Sequence, residues 1–314
     1  LKFPINQVKM TAIIFPGQGS QYLEMGKDFN DNFSIAKDTF EEIEDITSIN
    51  LRDIIFSENN DLLNQTNFTQ ISIFACSVSI FKTFINEKNI DLGNIAVMLG
   101  HSLGEYTALA CSNKLDLTDA SLVLKKRGEL MHNALQKNMY GMAALIGKSV
   151  EEIERIIKEN SITLEVANDN SPFQVVISGK IEDLDKCEDI FKKNNIKKFV
   201  RLNVSSAFHS QYMLNSQNEL RQNIDKLKFK KNNISIIPNF DAELTNDNDK
   251  IKLALKNQMA SRVRWTESIK ILELAEVSKI IEIGPGKVLS GLVRRISNSF
   301  DIKSINIIED LEKY

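Results

Sequence analysis

Short, largely apolar runs alternate along this chain with stretches of helical periodicity. The runs at residues 11–15, 95–99 and 279–283 have the near-continuous apolar character of strands buried on both faces of a sheet. Residues 70–86 and 119–136 repeat their apolar positions at helical spacing. Alternation of this kind predicts an α/β domain with a mostly parallel sheet.

Residues 136–204 carry a different pattern. It predicts a strand at Met142–Ile146, a helix at Val150–Glu159, strands at Thr163–Ala167 and Gln174–Ser178, a helix at Ile181–Lys193 and a strand at Lys198–Val204. That βαββαβ order is the ferredoxin-like arrangement. Parallel-sheet patterns resume afterwards. The small domain, 136–204, is therefore expected as an insert in a large domain made of 1–135 and 205–314. Neither an internal repeat nor a Gly/Ser- or Pro-rich linker is visible.

Composition narrows the function classes. The chain has 314 residues, 42% hydrophobic and 26% charged, which is ordinary for a globular protein. A net charge of -3 and a pI near 5.8 argue against a nucleic-acid partner. No apolar run was expected to approach the roughly 20 residues of a bilayer span, so a soluble protein with no membrane partner is expected. Cys76, Cys111 and Cys187 are odd in number and far apart. They suggest reduced thiols, with neither a disulfide framework nor a metal knuckle.

The chain starts at Leu1, and Met10 directly precedes the first strand, so residues 1–9 are read as the stub of a removed leader. Asn, Lys and Ile crowd even the loops, as in Asn246-Asp247-Asn248-Asp249-Lys250, which suggests an AT-rich genome. Together these fit a plastid-like organelle (an apicoplast), with a bacterial cytoplasm as the alternative.

The densest chemical signal is Gly100-His101-Ser102-Leu103-Gly104, between the run at 95–99 and a helical run from Glu105 to Cys111. Strand, Gly-x-Ser-x-Gly, helix is the layout of the nucleophile elbow of an α/β-hydrolase-like domain. A serine between glycines in an ordinary loop fits the same five letters. A serine nucleophile needs a base, and the chain has three histidines. His101 is adjacent to Ser102 and points away from it, so it can line a pocket. His132 falls mid-helix. His209 lies in a loop beyond a strand, as catalytic residues often do, although an uninvolved loop histidine would too. Glu282, ahead of Gly284-Pro285-Gly286, is either a third member that orients the base or a strand-end residue. The turn at Phe15-Pro16-Gly17-Gln18-Gly19-Ser20-Gln21 can offer a backbone N–H to an oxyanion, with the Leu103 N–H as second donor.

These segments carry a resemblance. From about residue 10 to 297 the chain resembles the malonyl-CoA:acyl carrier protein transacylases and, more broadly, the acyltransferase domains of fatty acid and polyketide synthases. The matching motifs stand in family order. After the two glycine turns come Arg127-Gly128, Asn170-Ser171-Pro172, Gln174 to Gly179, Ala207-Phe208-His209-Ser210, Val263-Arg264-Trp265, and Glu282 to Leu289.

The resemblance implies Ser102 as nucleophile and His209 as base. Gln258 matches the glutamine whose main-chain carbonyl orients that histidine, which displaces Glu282. The amides of Gln18 and Leu103 match the oxyanion hole. Arg127 matches the arginine that clamps the free carboxylate of malonate, although within Lys125-Lys126-Arg127 it also fits a helix-surface arginine. Met131, at i+4 from Arg127, shares its helix face. His101, Asn168 and Phe208 are expected to line the substrate pocket. Two departures stand out: Phe173 where the family commonly has a small residue, and Ser261-Arg262 in place of Asn-Pro.

The implied reaction is malonyl transfer from malonyl-CoA to the phosphopantetheine thiol of acyl carrier protein through an acyl-serine, supplying type II fatty acid synthesis. It calls for no metal or redox cofactor, and a monomer is expected. Candidate carrier-protein contacts are Lys193, Lys197, Lys198, Arg262, Arg264 and Lys287. The alternatives are a serine hydrolase or thioesterase with the same elbow, a stand-alone polyketide-type acyltransferase, and an inactive docking subunit.

Overall fold

The computed structural model describes residues 10–136, 138–204 and 206–314. The leader reading of residues 1–9 falls outside them. Strands β1 (Met10–Phe15), β2 (Ile95–Gly100), β3 (Tyr140–Ile146) and β4 (Glu165–Ser171) are followed by β5 (Gln174–Lys180) and β6 (Lys198–Arg201). After these come β7 (Ser235–Ile236), β8 (Val277–Ile283) and β9 (Asp301–Ile305).

Five strands form a parallel sheet in the order β7-β2-β1-β8-β9. Alternation along each strand feeds two cores. Ile13, Phe15, Met98, Ile281 and Ile283 face the helix Thr66–Glu87 through Ile71, Phe74, Val78 and Phe81. Ala12, Ile14, Val97, Leu99 and Ile280 face Trp265, Ile269, Leu272, Leu289 and Val293. Covering both faces is what makes the strands read as continuous apolar runs. The register pairs Phe15 with Gly100 and Ile14 with Glu282. The loops after β1, β2 and β8 therefore emerge together at the carboxyl ends of adjacent strands, where open α/β sheets build their sites.

The helix Thr66–Glu87 corrects one expectation. It is long and apolar enough to cross a membrane by length and composition, but 83% of its most apolar window is buried inside the fold. Its Thr, Ser and Gln positions had masked the run. Thr69, Ser79 and Thr83 bond back to carbonyls of their own helix or the preceding loop, which satisfies hydroxyls inside the core.

The second sheet is antiparallel, in the order β4-β5-β3-β6, the strand order of a ferredoxin-like unit. Helices Val150–Glu159 and Ile181–Lys193 pack on one face around Leu145, Ile153, Ile177, Leu184 and Phe191. A capping box between Ser149 and Glu152 starts the first helix. Two strand boundaries differ from expectation. β4 runs on to Ser171 through the polar residues Asn168-Asp169-Asn170, beyond the expected end at Ala167. Their backbone pairs with β5 and also with the Val263 segment, Asp169 N donating to Val263 O at 3.0 Å. β6 ends at Arg201, and Leu202 and Val204 turn into the cleft. Cys76, Cys111 and Cys187 are free and buried.

Candidate active site

The turn after β2 is as tight as its glycines imply. A Cβ on Gly100 would lie 2.1 Å from the Gly104 carbonyl, and one on Gly104 would lie 2.2 Å from the Phe15 carbonyl oxygen. Ser102 sits between them in the left-handed region, φ 53°, just ahead of the helix Gly104–Cys111. Its amide donates to Asn239 Oδ1 at 2.7 Å, and Asn239 Nδ2 donates to Gly100 O at 2.8 Å. One asparagine thus ties the end of β2 to the serine at the elbow's centre. The strained serine backbone persists because its surroundings over-determine it.

His209 comes to Ser102 from the loop Ser206–Ser210, itself at φ 54°. Its Nε2 is 2.8 Å from Ser102 Oγ. Its Nδ1 faces two carbonyls, Gln258 O at 3.1 Å and Ser261 O at 3.0 Å. Both partners are acceptors, so Nδ1 carries the proton and Nε2 is free to accept from the serine hydroxyl. No carboxylate takes part. Burial, reinforced by the positive charge of Arg127, pushes the His209 imidazole down to about 3. The base is held neutral.

Glu282 is engaged elsewhere. Its two oxygens accept from the amides of Leu289 and Ser290 at 3.0 and 2.7 Å, capping the helix Val288–Ile296. The third-member alternative for Glu282 is thereby corrected: the strand-end position serves the neighbouring helix.

Arg127 is not on a helix surface. It is fully buried on the helix Leu117–Asn133 and points into the cleft. Nη1 donates to Gln70 Oε1 at 2.6 Å, while Nη2 donates to Ser102 Oγ at 2.9 Å and to Gln258 Oε1 at 3.0 Å. Its guanidinium carbon lies 5.4 Å from the centroid of the Tyr106 ring. Among the described residues it forms no ion pair, and its Nε has no hydrogen-bond partner. The guanidinium is thus buried beside a hydroxyl and two neutral amides, with the Glu105 carboxylate acting on it electrostatically without a direct ion pair.

These groups border a cavity of about 80 Å³ lined by Gln18, Gln70, His101, Ser102, Leu103, Arg127, Met131, Met142, Asn168, Leu202, Val204, Phe208 and His209. Gln258 lies behind its wall. His101 bonds Asn170 Oδ1 through Nε2 at 2.8 Å. Asn168 lines the cavity with its Oδ1 buried and unpartnered. Neither the Gln18 nor the Leu103 amide has a hydrogen-bond acceptor among the described residues, so both can serve an incoming oxygen. A second cavity of about 480 Å³ also reaches His209, between Glu154 and Glu165 on one side and Ser261, Arg262 and Arg264 on the other.

The two departures leave this geometry intact. Ser261 contributes its backbone carbonyl, which is indifferent to its side chain. Arg262 pairs with Glu154 at 2.9 Å, tying the antiparallel unit to the 260–264 segment. Phe173 is 62% exposed at the turn between β4 and β5, outside the cavity. Sequence reasoning missed Gln70, Glu105 and Asn239. A glutamine and a glutamate inside apolar helices were available as signals; Asn239 offered none.

Comparison with known proteins shows the family. The acyl transferase domain family matches residues 12–313. A malonyl CoA-acyl carrier protein transacylase of Bacillus subtilis is 34% identical over 304 residues, covering 96% of this chain and 95% of that one. The crystal structure of an acyl carrier protein S-malonyltransferase from Vibrio cholerae superposes with a TM-score of 0.91 at 34% identity, covering 96% and 99% of the two chains. A malonyl-transacylase solved with a type II PKS acyl-carrier protein gives 0.92 at 33% identity, covering 97% and 98%. With its elbow, its histidine and its buried arginine in one cleft, this chain belongs to the acyl transferase domain family.

Proposed function

We propose that the protein transfers a malonyl group from malonyl-CoA to the phosphopantetheine thiol of acyl carrier protein, supplying fatty acid synthesis. The observation that carries this is Arg127, a fully buried cation that makes no direct ion pair among the described residues and whose Nη2 is 2.9 Å from the Ser102 hydroxyl oxygen. Malonate has one methylene between thioester and carboxylate, so its clamp must stand next to the serine. The small cavity suits a short acyl chain.

Ser102 Oγ attacks the thioester carbon while its proton passes to His209 Nε2. The oxyanion rests on the amides of Gln18 and Leu103. Collapse breaks the C–S bond, and His209 returns the proton to the CoA sulfur. The malonyl-serine stays with its carboxylate on Arg127, against Met131, Phe208, His101 and Asn168. The pantetheine thiol then enters, gives its proton to His209 and attacks the ester carbon. Collapse breaks the ester C–O bond, His209 returns the proton to Ser102 Oγ, and the malonyl thioester is released. No step draws on a metal or redox cofactor.

The cleft lies between the two units into which we divide the chain, 1–135 with 205–314, and 136–204. We take the protein to act as a monomer. The bacterial origin of the named relatives supports a bacterial cytoplasm and gives no support to the plastid-like organelle. Intact-mass measurement after mixing with malonyl-CoA tests the central claim: a malonyl adduct on the wild type and none on Ser102→Ala. An adduct on the variant overturns it.

A further inference from the structure

Beneath the nucleophile sits a carboxylate that no step of the transfer uses. Glu105, in the first turn of the elbow helix, is fully buried. Its Oε2 accepts from the Asn239 amide at 2.9 Å and from Gln258 Nε2 at 2.7 Å. Gln258 Nε2 also donates to Ser102 O at 2.9 Å. With both amide protons spent on the elbow, Gln258 Oε1 is left to accept from Arg127 Nη2 at 3.0 Å.

A side-chain amide has two ends of opposite polarity. Turned over, Gln258 would set its oxygen against Glu105 Oε2 and Ser102 O, acceptor on acceptor, and its NH₂ against the guanidinium, donor on donor. The carboxylate acceptor therefore fixes which end of Gln258 meets Arg127. Burial raises the Glu105 carboxyl to about 7. Oε1 has no partner, so a proton taken up there leaves Oε2 accepting.

We propose that Glu105 is a positioning residue for diacid selection. It locks the Gln258 amide so that Arg127 is held square to the acyl carboxylate, and it never touches the substrate. The inference rests on the reading of Arg127 as the carboxylate clamp. Glu105 also holds Asn239, which pins the elbow, so a purely structural effect would disturb the serine and the arginine alike.

The test compares Glu105→Ala and Glu105→Gln in malonyl and acetyl transfer from the CoA esters to holo-carrier protein. Acylation by p-nitrophenyl acetate, an ester without a carboxylate, reads the Ser102–His209 pair alone. In Glu105→Ala the malonyl kcat/KM falls by roughly ten- to a hundredfold, mainly through KM, and the malonyl-to-acetyl ratio falls with it. Acylation by the neutral ester falls far less, because Asn239 keeps its own bonds to Ser102 N and Gly100 O. Glu105→Gln, which can present its carbonyl at the Oε2 position, restores selectivity. If Glu105→Ala does not fold, Glu105→Asp withdraws the acceptor by one methylene and must show the same loss of selectivity. Parallel losses on malonyl and neutral ester, or an unchanged ratio, overturn the role of Glu105. A wild-type enzyme with no preference for malonyl overturns the reading of Arg127 beneath it.

Discussion

Arg127 Nη2 lies 2.9 Å from Ser102 Oγ, so the buried guanidinium already touches the serine hydroxyl. This adjacency sets the length of the acyl group that can satisfy both residues. Removing the guanidinium removes the penalty for an acyl group that brings no carboxylate. Arg127→Ala should lose about 3 kcal/mol of malonyl transition-state binding, roughly a hundredfold in kcat/KM, and should accept acetyl-CoA. Unchanged discrimination between the two CoA esters takes Arg127 out of this role.

His209 should remain neutral far into acid. Burial first, then Arg127, holds its imidazole down at about 3, against 6.5 for the free side chain. Between those values the unfolded chain binds a proton that the folded one does not, so stability from this site falls as pH drops below 6.5. Imidazole NMR at pH 5 should show the neutral Nδ1–H tautomer, and Arg127→Ala should move the titration upward. An imidazolium signal at pH 6 in the free wild type contradicts the assignment.

Glu282 separates stability from chemistry. Because it caps the helix Val288–Ile296, Glu282→Ala should cost about 1–2 kcal/mol in denaturant unfolding. Formation of the malonyl-serine should keep its rate. A collapse of that rate in folded protein would return Glu282 to the catalytic machinery.

Two glycines should respond oppositely to alanine. Gly104→Ala drives a Cβ into the Phe15 carbonyl and should destabilise by about 3 kcal/mol with loss of acylation. Gly291, mid-helix in Val288–Ile296, has nothing within 4 Å of an added Cβ, so Gly291→Ala should stabilise by up to about 1 kcal/mol. Equal unfolding midpoints for the two variants would refute the close approach at the elbow.

Charge reversal should sort the carrier-protein contacts. Arg262 and Arg264 are paired with Glu154 and Glu267, and Lys287 with Asp310. Lys193, Lys197 and Lys198 are exposed and form no ion pair among the described residues. Lys197→Glu and Lys198→Glu should raise the carrier-protein KM more than Arg262→Glu, with malonyl-CoA kinetics unchanged. An equal or reversed order rejects the small unit as the docking face.

What could be read beforehand depended on how local the signal was. The parallel strands were legible because both their faces are covered, and the elbow because strand, Gly-x-Ser-x-Gly and helix follow one another within a few residues, although the contact that demands Gly104 comes from the distant Phe15 carbonyl. The core helix Thr66–Glu87 was half-hidden by hydroxyls that bond within its own turns. Strand β4 was cut short at Asn168 because its polar residues face the cleft. Gln258, Asn239 and Gln70 act through partners more than 50 residues away, and spacing carries no trace of such bonds. The resemblance pointed to the Gln258 carbonyl; only the structure shows what its side chain does.

Ser102 and His209 both hold positive backbone angles that L-residues adopt at a cost of about 1–2 kcal/mol each. Glycine would occupy either place without that cost. Ser102→Gly and His209→Gly should therefore unfold at higher denaturant than the corresponding alanine variants. Stability alone favours glycine at both places, so the fold carries these two side chains at a standing cost that only the chemistry proposed for them returns.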